Sequence, residues 1–82
     1  MRKITTEITR SFNDYLINEE KAAATVNKYL HDVGEFQMWL SEQELCKTVV
    51  LAYKSYLCEH YSPTSVNAAL SSLNSFFNFM EW

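Results

Sequence analysis

Apolar residues recur along this chain at helical spacing, and four segments carry the pattern. In the first, residues 6–18, Ile8, Phe12, Tyr15 and Leu16 follow one another at four, three and one, which sets them on one face of a helix. The polar cluster Asn18-Glu19-Glu20-Lys21 closes it. The second and longest covers residues 23–42. Val26, Tyr29, Leu30, Val33, Phe36, Gln37 and Leu40 fall there within one broad face at about 100° per residue. Gly34 stands at the border of that face. Glycine costs a helix ~1 kcal/mol relative to alanine, so its presence predicts the close approach of a neighbouring helix. A third helix is expected over residues 48–59, with Thr48 as N-cap and Val49, Ala52, Tyr53, Tyr56 and Leu57 as its buried stripe. The fourth, residues 63–80, opens with Ser62-Pro63, a capping serine and a proline at the first helical position, where an amide has no partner to lose. Its core face is Val66, Ala69, Leu70, Leu73, Phe76, Phe77 and Met80.

Four helices with one apolar face each and short connections predict an all-α fold, a compact four-helix bundle forming a single domain over residues 1–82. A single Gly and a single Pro leave little turn chemistry for a β fold. A chain of 82 residues needs a dense core, and two Trp, five Tyr and five Phe supply large buried area. No apolar run approaches the ~20 residues of a membrane span, and no signal-peptide core precedes the first helix. The expected setting is therefore cytoplasmic, with no membrane partner.

Charge narrows the function classes. The formal net charge is −3, so a nucleic-acid role must rest on local placement of charge or on neutral hydrogen-bonding groups. Cys46 and Cys58 stand twelve positions apart, without a CxxC pair, and neither His31 nor His60 has a partner at metal-ligand spacing. They predict two free thiols, no metal and no cofactor.

The unusual feature lies in the last helix. Between Tyr61 and Met80 no side chain is charged, and the face opposite the core is Thr64, Asn67, Ser71, Asn74, Ser75 and Asn78. These are poor helix formers, and an ordinary exposed face would carry Lys and Glu pairs. Short neutral donors approach phosphate oxygens closely, and Asn can read an adenine edge. The same stripe would equally suit packing against another domain, or a weakly selected polar surface. A second patch lies on helix two. Lys21, Thr25 and Lys28 follow one line away from the core, and Asp32 and Glu35 continue it and limit its reach. A solvated helix face is the alternative there.

As a whole the pattern resembles the N-terminal core-binding, SAM-like domain of phage integrases and other tyrosine recombinases. The likeness begins with Phe12-Asn13-Asp14-Tyr15-Leu16 and continues through Thr25, Tyr29, Asp32, Phe36 and Trp39-Leu40, similar to the family's "T…Y…D…F..WL" helix. Tyr56-Leu57 follows, and then Ser62 to Phe79, SPTSVNAALSSLNSFFNF, similar to its "s-T-vN-r-LsaLrsFf-f" final helix. About residues 5–80 take part, and the order and spacing of all four helices carry the likeness. The resemblance implies half of a C-shaped clamp around a recombination site, with the second and fourth helices against double-stranded DNA. It implies Lys21, Thr25 and Lys28 on helix two, and Thr64, Ser65, Asn67, Ala68, Ser71 and Asn74 on helix four, as the DNA-binding residues. The implied partners are duplex DNA, the catalytic domain of the same longer protein, following Trp82, and neighbouring recombinase subunits. The implied setting is bacterial or phage, at the nucleoid. One departure stands out: the family often carries Arg or Lys where this chain has Ala68 and Asn74. Without those cations the stronger phosphate interactions are missing, so weak binding is expected.

Catalysis is not expected of this chain. Phosphoryl attack by a tyrosine needs cations clamped on the phosphate, and the only arginines are Arg2 and Arg10, both near the N-terminus. No paired carboxylates, Gly-rich phosphate loop or Ser-His-Asp set can be assembled. Two further readings compete with DNA clamping. One is a helical protein-interaction module using the uncharged face of the last helix. The other is a helix-turn-helix regulator, disfavoured because helix four offers no Arg, Lys or Gln to a major groove.

Overall fold

The structure, a computed structural model, describes residues 4–81. Four helices follow one another: α1 (Thr6–Asn18), α2 (Ala23–Leu40), α3 (Lys47–His60) and α4 (Pro63–Phe79), and no strand occurs among the described residues. The all-α expectation is met.

Local chemistry sets the starts of α1 and α4. Thr5 caps α1, its hydroxyl accepting from the Ile8 amide at 3.2 Å. Ser62 caps α4 in the same way, accepting from the Ser65 amide at 3.3 Å ahead of Pro63. The α1–α2 turn passes through Glu20 at φ 58°, and α2 stops at Ser41 at φ 57°. Both are left-handed positions, where a side chain other than glycine is strained. That break at Ser41 ends α2 two residues before the expected Glu42. Helix α3 begins one residue early, at Lys47, so Thr48 lies inside the helix and is not its cap; Cys46 holds that place without a side-chain bond.

Packing centres on α2. Its most extensive neighbour is α4, with α1 and α3 on either side. Fully buried Phe12, Phe36 and Phe76 anchor the core, with Leu16, Leu40, Leu73 and Val33 around them. On α3 the buried residues are Tyr53 and Leu57, while Ala52 and Tyr56 are exposed, a narrower stripe than the spacing predicts. Leu45, in the α2–α3 connection, fills the remaining space.

Gly34 does not admit a neighbouring helix. A Cβ built there meets nothing within 4 Å. Its backbone is ordinary helix, so the residue costs conformational entropy and returns no packing. Gly34→Ala should raise unfolding stability by about 0.5–1 kcal/mol, seen as a higher urea midpoint at unchanged slope. A drop in stability would mean the site is tighter than described.

Candidate nucleic-acid interface

The line Lys21–Thr25–Lys28 runs along the first half of α2 and continues into Asp32. Asp32 is not a solvated end to that line. It is buried, at 7% exposure, and held from two sides. Lys28 Nζ donates to both carboxylate oxygens at 2.7 and 2.8 Å, and Ser72 Oγ on α4 donates to Oδ2 at 2.6 Å. Ser72 also lies within bonding distance of the Ala68 carbonyl, at 3.2 Å. Lys28 is half-exposed, but its charge is committed to Asp32. Lys21, exposed, has no ion-pair partner among the described residues.

Side chains of α2 and α4 meet along their shared face. Lys28 and Ser65 line one groove, Asp32 meets Ser72, and the rings of Phe36 and Phe77 lie 5.9 Å apart. The last two of these contacts fall in the middle of α2 and in the C-terminal half of α4. The α2 N-terminus is preceded by Ala22, which offers no side-chain cap. The exposed Ala22, Ala23 and Ala24 leave its first-turn amides open to an approaching group, between Lys21 and Thr25.

The polar residues of α4 divide. Thr64, Ser65, Asn67, Ala68, Ser71 and Asn74 are all exposed, so the uncharged stripe is a true surface. Ser65 and Ala68 border α2, and Thr64 and Ser71 follow on the shoulder. Asn67 and Asn74 lie about 140° and 160° round the helix from Ser72, counting about 100° per residue. Lys28 and Ser65 thus border one groove, while Asn67 and Asn74 turn towards the far flank of α4.

Beside this edge, aromatic side chains from α2 and α3 pack in sequence. Trp39 lies 5.0 Å from Tyr53 between ring centroids, Tyr53 lies 5.9 Å from Tyr56, and Tyr56 lies 4.6 Å from His60. Burial, reinforced by nearby Glu35, pushes the Tyr53 hydroxyl from about 10 up to about 12. Both cysteines are exposed free thiols, and no group of three metal-ligating side chains occurs among the described residues. No described helix is long and apolar enough to cross a membrane.

The family model for the phage integrase N-terminal SAM-like domain matches residues 9–82. The chain belongs to that family. No individual curated protein and no solved structure matches it. The SAM-like domain is all-α and is a non-catalytic region of integrases, and the match spans most of α1 and all of α2, α3 and α4. The chain is accordingly a tyrosine-recombinase-related domain.

Sequence reasoning missed the Asp32–Ser72 pair. Asp32 sits beside the core face of α2 and Ser72 beside that of α4, where an acid four residues after a lysine reads as a surface pair. Ser72→Ala should cost about 1–3 kcal/mol, because it takes a donor from a buried carboxylate; urea denaturation measures it, and an unchanged midpoint would show that water replaces the hydroxyl. Tyr53 gives a pH prediction. Between pH 10 and 12 the unfolded chain loses the phenol proton while the folded chain keeps it, so this group lowers stability as pH rises through that window and has no effect below it. Phenolate absorbance should show a step near pH 12 that disappears in Tyr53→Phe.

Proposed function

We propose that this SAM-like domain grips double-stranded DNA as the non-catalytic arm of a tyrosine recombinase, clamping a recombination site for a catalytic domain elsewhere in a longer protein. The observation that carries this reading is the open N-terminus of α2, uncapped and lined by exposed alanines, together with the exposed uncharged face of α4. The N-terminus of α2 has no side-chain cap and is flanked by Lys21 and Thr25, while α4 offers Thr64 and Ser65 as exposed neutral donors in its own first turn. Free amides and the positive end of the helix dipole suit phosphate oxygens, and alanines leave room for the backbone to approach. Ala68 and Ser71 widen the surface with small side chains. Lys28 adds field rather than a free ammonium, since Asp32 already holds it.

With one uncommitted lysine on this edge and a net charge of −3, affinity of the domain alone falls near the ~10⁻⁴–10⁻⁶ M of nonspecific association. The catalytic domain and neighbouring recombinase subunits supply the rest of the grip, in the cytoplasm at the nucleoid. Asn67 and Asn74, on the far flank of α4, favour a second role for that side as a protein-docking face.

Titrating the isotope-labelled domain with duplex at low salt should move amides 21–28 and 62–71 together, with shifts that recede as salt rises. Lys21→Glu should remove most of the response at unchanged stability, because the exposed Lys21 ammonium has no ion-pair partner among the described residues. It should also flatten the logarithmic salt slope by about 0.9 for each phosphate that the protein no longer neutralises. If these amides stay still at millimolar duplex, the DNA reading fails. Movement confined to Asn67, Asn74 and Asn78 with a protein partner would leave the docking role alone standing.

A further inference from the structure

A groove of about 470 Å³ opens between α2, α3 and α4. Its wall is aromatic: Trp39 and Tyr53 form the inner part, while Tyr56 and Tyr61 reach the surface, the latter 54% exposed. Its rim is acidic. Asp32 is already neutralised by Lys28, but Glu35, 57% exposed, has His31, at 3.8 Å, as its one ion-pair partner among the described residues. Lys28, Asp32 and Glu35 together leave one net negative charge over a set of ring faces.

That combination selects among ligands. A phosphodiester is repelled by Glu35 and finds Lys28 taken. A purely apolar group leaves Glu35 without a partner. A quaternary ammonium suits the rings but has no N–H to give the carboxylate. A guanidinium satisfies both, stacking its plane on tyrosine or tryptophan while its edge donates two parallel hydrogen bonds to a carboxylate. Met38, 79% exposed at the groove edge, offers an adaptable apolar surface for the rest of a peptide.

We propose that this groove docks another protein chain through an arginine side chain, seated against the Tyr56 and Trp39 rings and paired with Glu35. The groove shares Lys28 and Ser65 with the edge proposed for DNA, but the arginine seat lies at Glu35, Trp39 and Tyr56, and its test does not depend on DNA binding.

The probe is the capped peptide acetyl-Leu-Arg-Leu-amide, titrated into the full chain while the Trp39 indole N–H is followed, with Trp82→Phe to assign the signal. The arginine peptide should shift Trp39 and the amides around Glu35 and Tyr56. The citrulline peptide, of the same shape without the charge, should bind about tenfold more weakly, and Glu35→Gln should weaken the arginine peptide by a similar factor. Glu35 is exposed, so that variant should keep its melting temperature. Equal binding of the arginine and citrulline peptides overturns the proposal, as does an unmoved Trp39 at millimolar peptide. A single-stranded thymidine oligomer that shifts Trp39 at lower concentration than the peptide would assign the groove to nucleic acid instead.

Discussion

The Asp32 carboxylate, taken out of water between two helices, is the constraint on which the rest of the arrangement depends. An unpaired buried carboxylate costs several kcal/mol, so the position is tolerable only with its donors in place. Lys28 comes from one turn earlier on the same helix and needs no tertiary structure to arrive. Ser72 comes from α4, forty residues on, and reaches the carboxylate only when α4 lies alongside α2 in one register. Hydrophobic contact alone is permissive about sliding. A hydrogen bond of 2.6 Å is not. The tie therefore specifies how far α4 is advanced where it packs on α2.

Around that tie the core divides into two aromatic groups on either side of α2. Phe12, Tyr15, Phe76 and Phe79 join α1 to α4, with Phe12 and Phe76 edge to face at 5.1 Å. Phe36, Trp39, Tyr53 and Tyr56 join α2 to α3, and Phe36 reaches across to Phe77. With extents of 34 × 30 × 18 Å, the bundle is about two helices thick, and aromatic rings fill that space with few side chains. The same economy leaves Tyr56 and Tyr61 half outside, where they line the groove next to Glu35.

Much of the architecture was legible in the residue pattern, because periodicity reports which face of a helix is buried. The Ser62-Pro63 start of α4 was readable from two residues, since capping is local chemistry. What stayed hidden was long-range or a matter of backbone. Asp32 resembles any surface acid paired with a lysine until Ser72 arrives from α4. Thr48 has the composition of a cap, but Ser41 breaks the chain early and α3 starts at Lys47. Gly34 invites a packing explanation that only the position of neighbouring helices can refuse. For the interface, residue types identified which helix faces are polar, but not that Lys28 is already engaged or that Asn67 and Asn74 turn away from it.

The reversals at Glu20 and Ser41 have a thermodynamic consequence of their own. Each holds a non-glycine residue in the left-handed region, at a cost of about 1–2 kcal/mol in the native state. A glycine there would relieve that strain but would also broaden the denatured ensemble, which must then surrender more freedom on folding. By keeping side chains at its corners, this small domain accepts stiff turns in exchange for a less disordered unfolded chain.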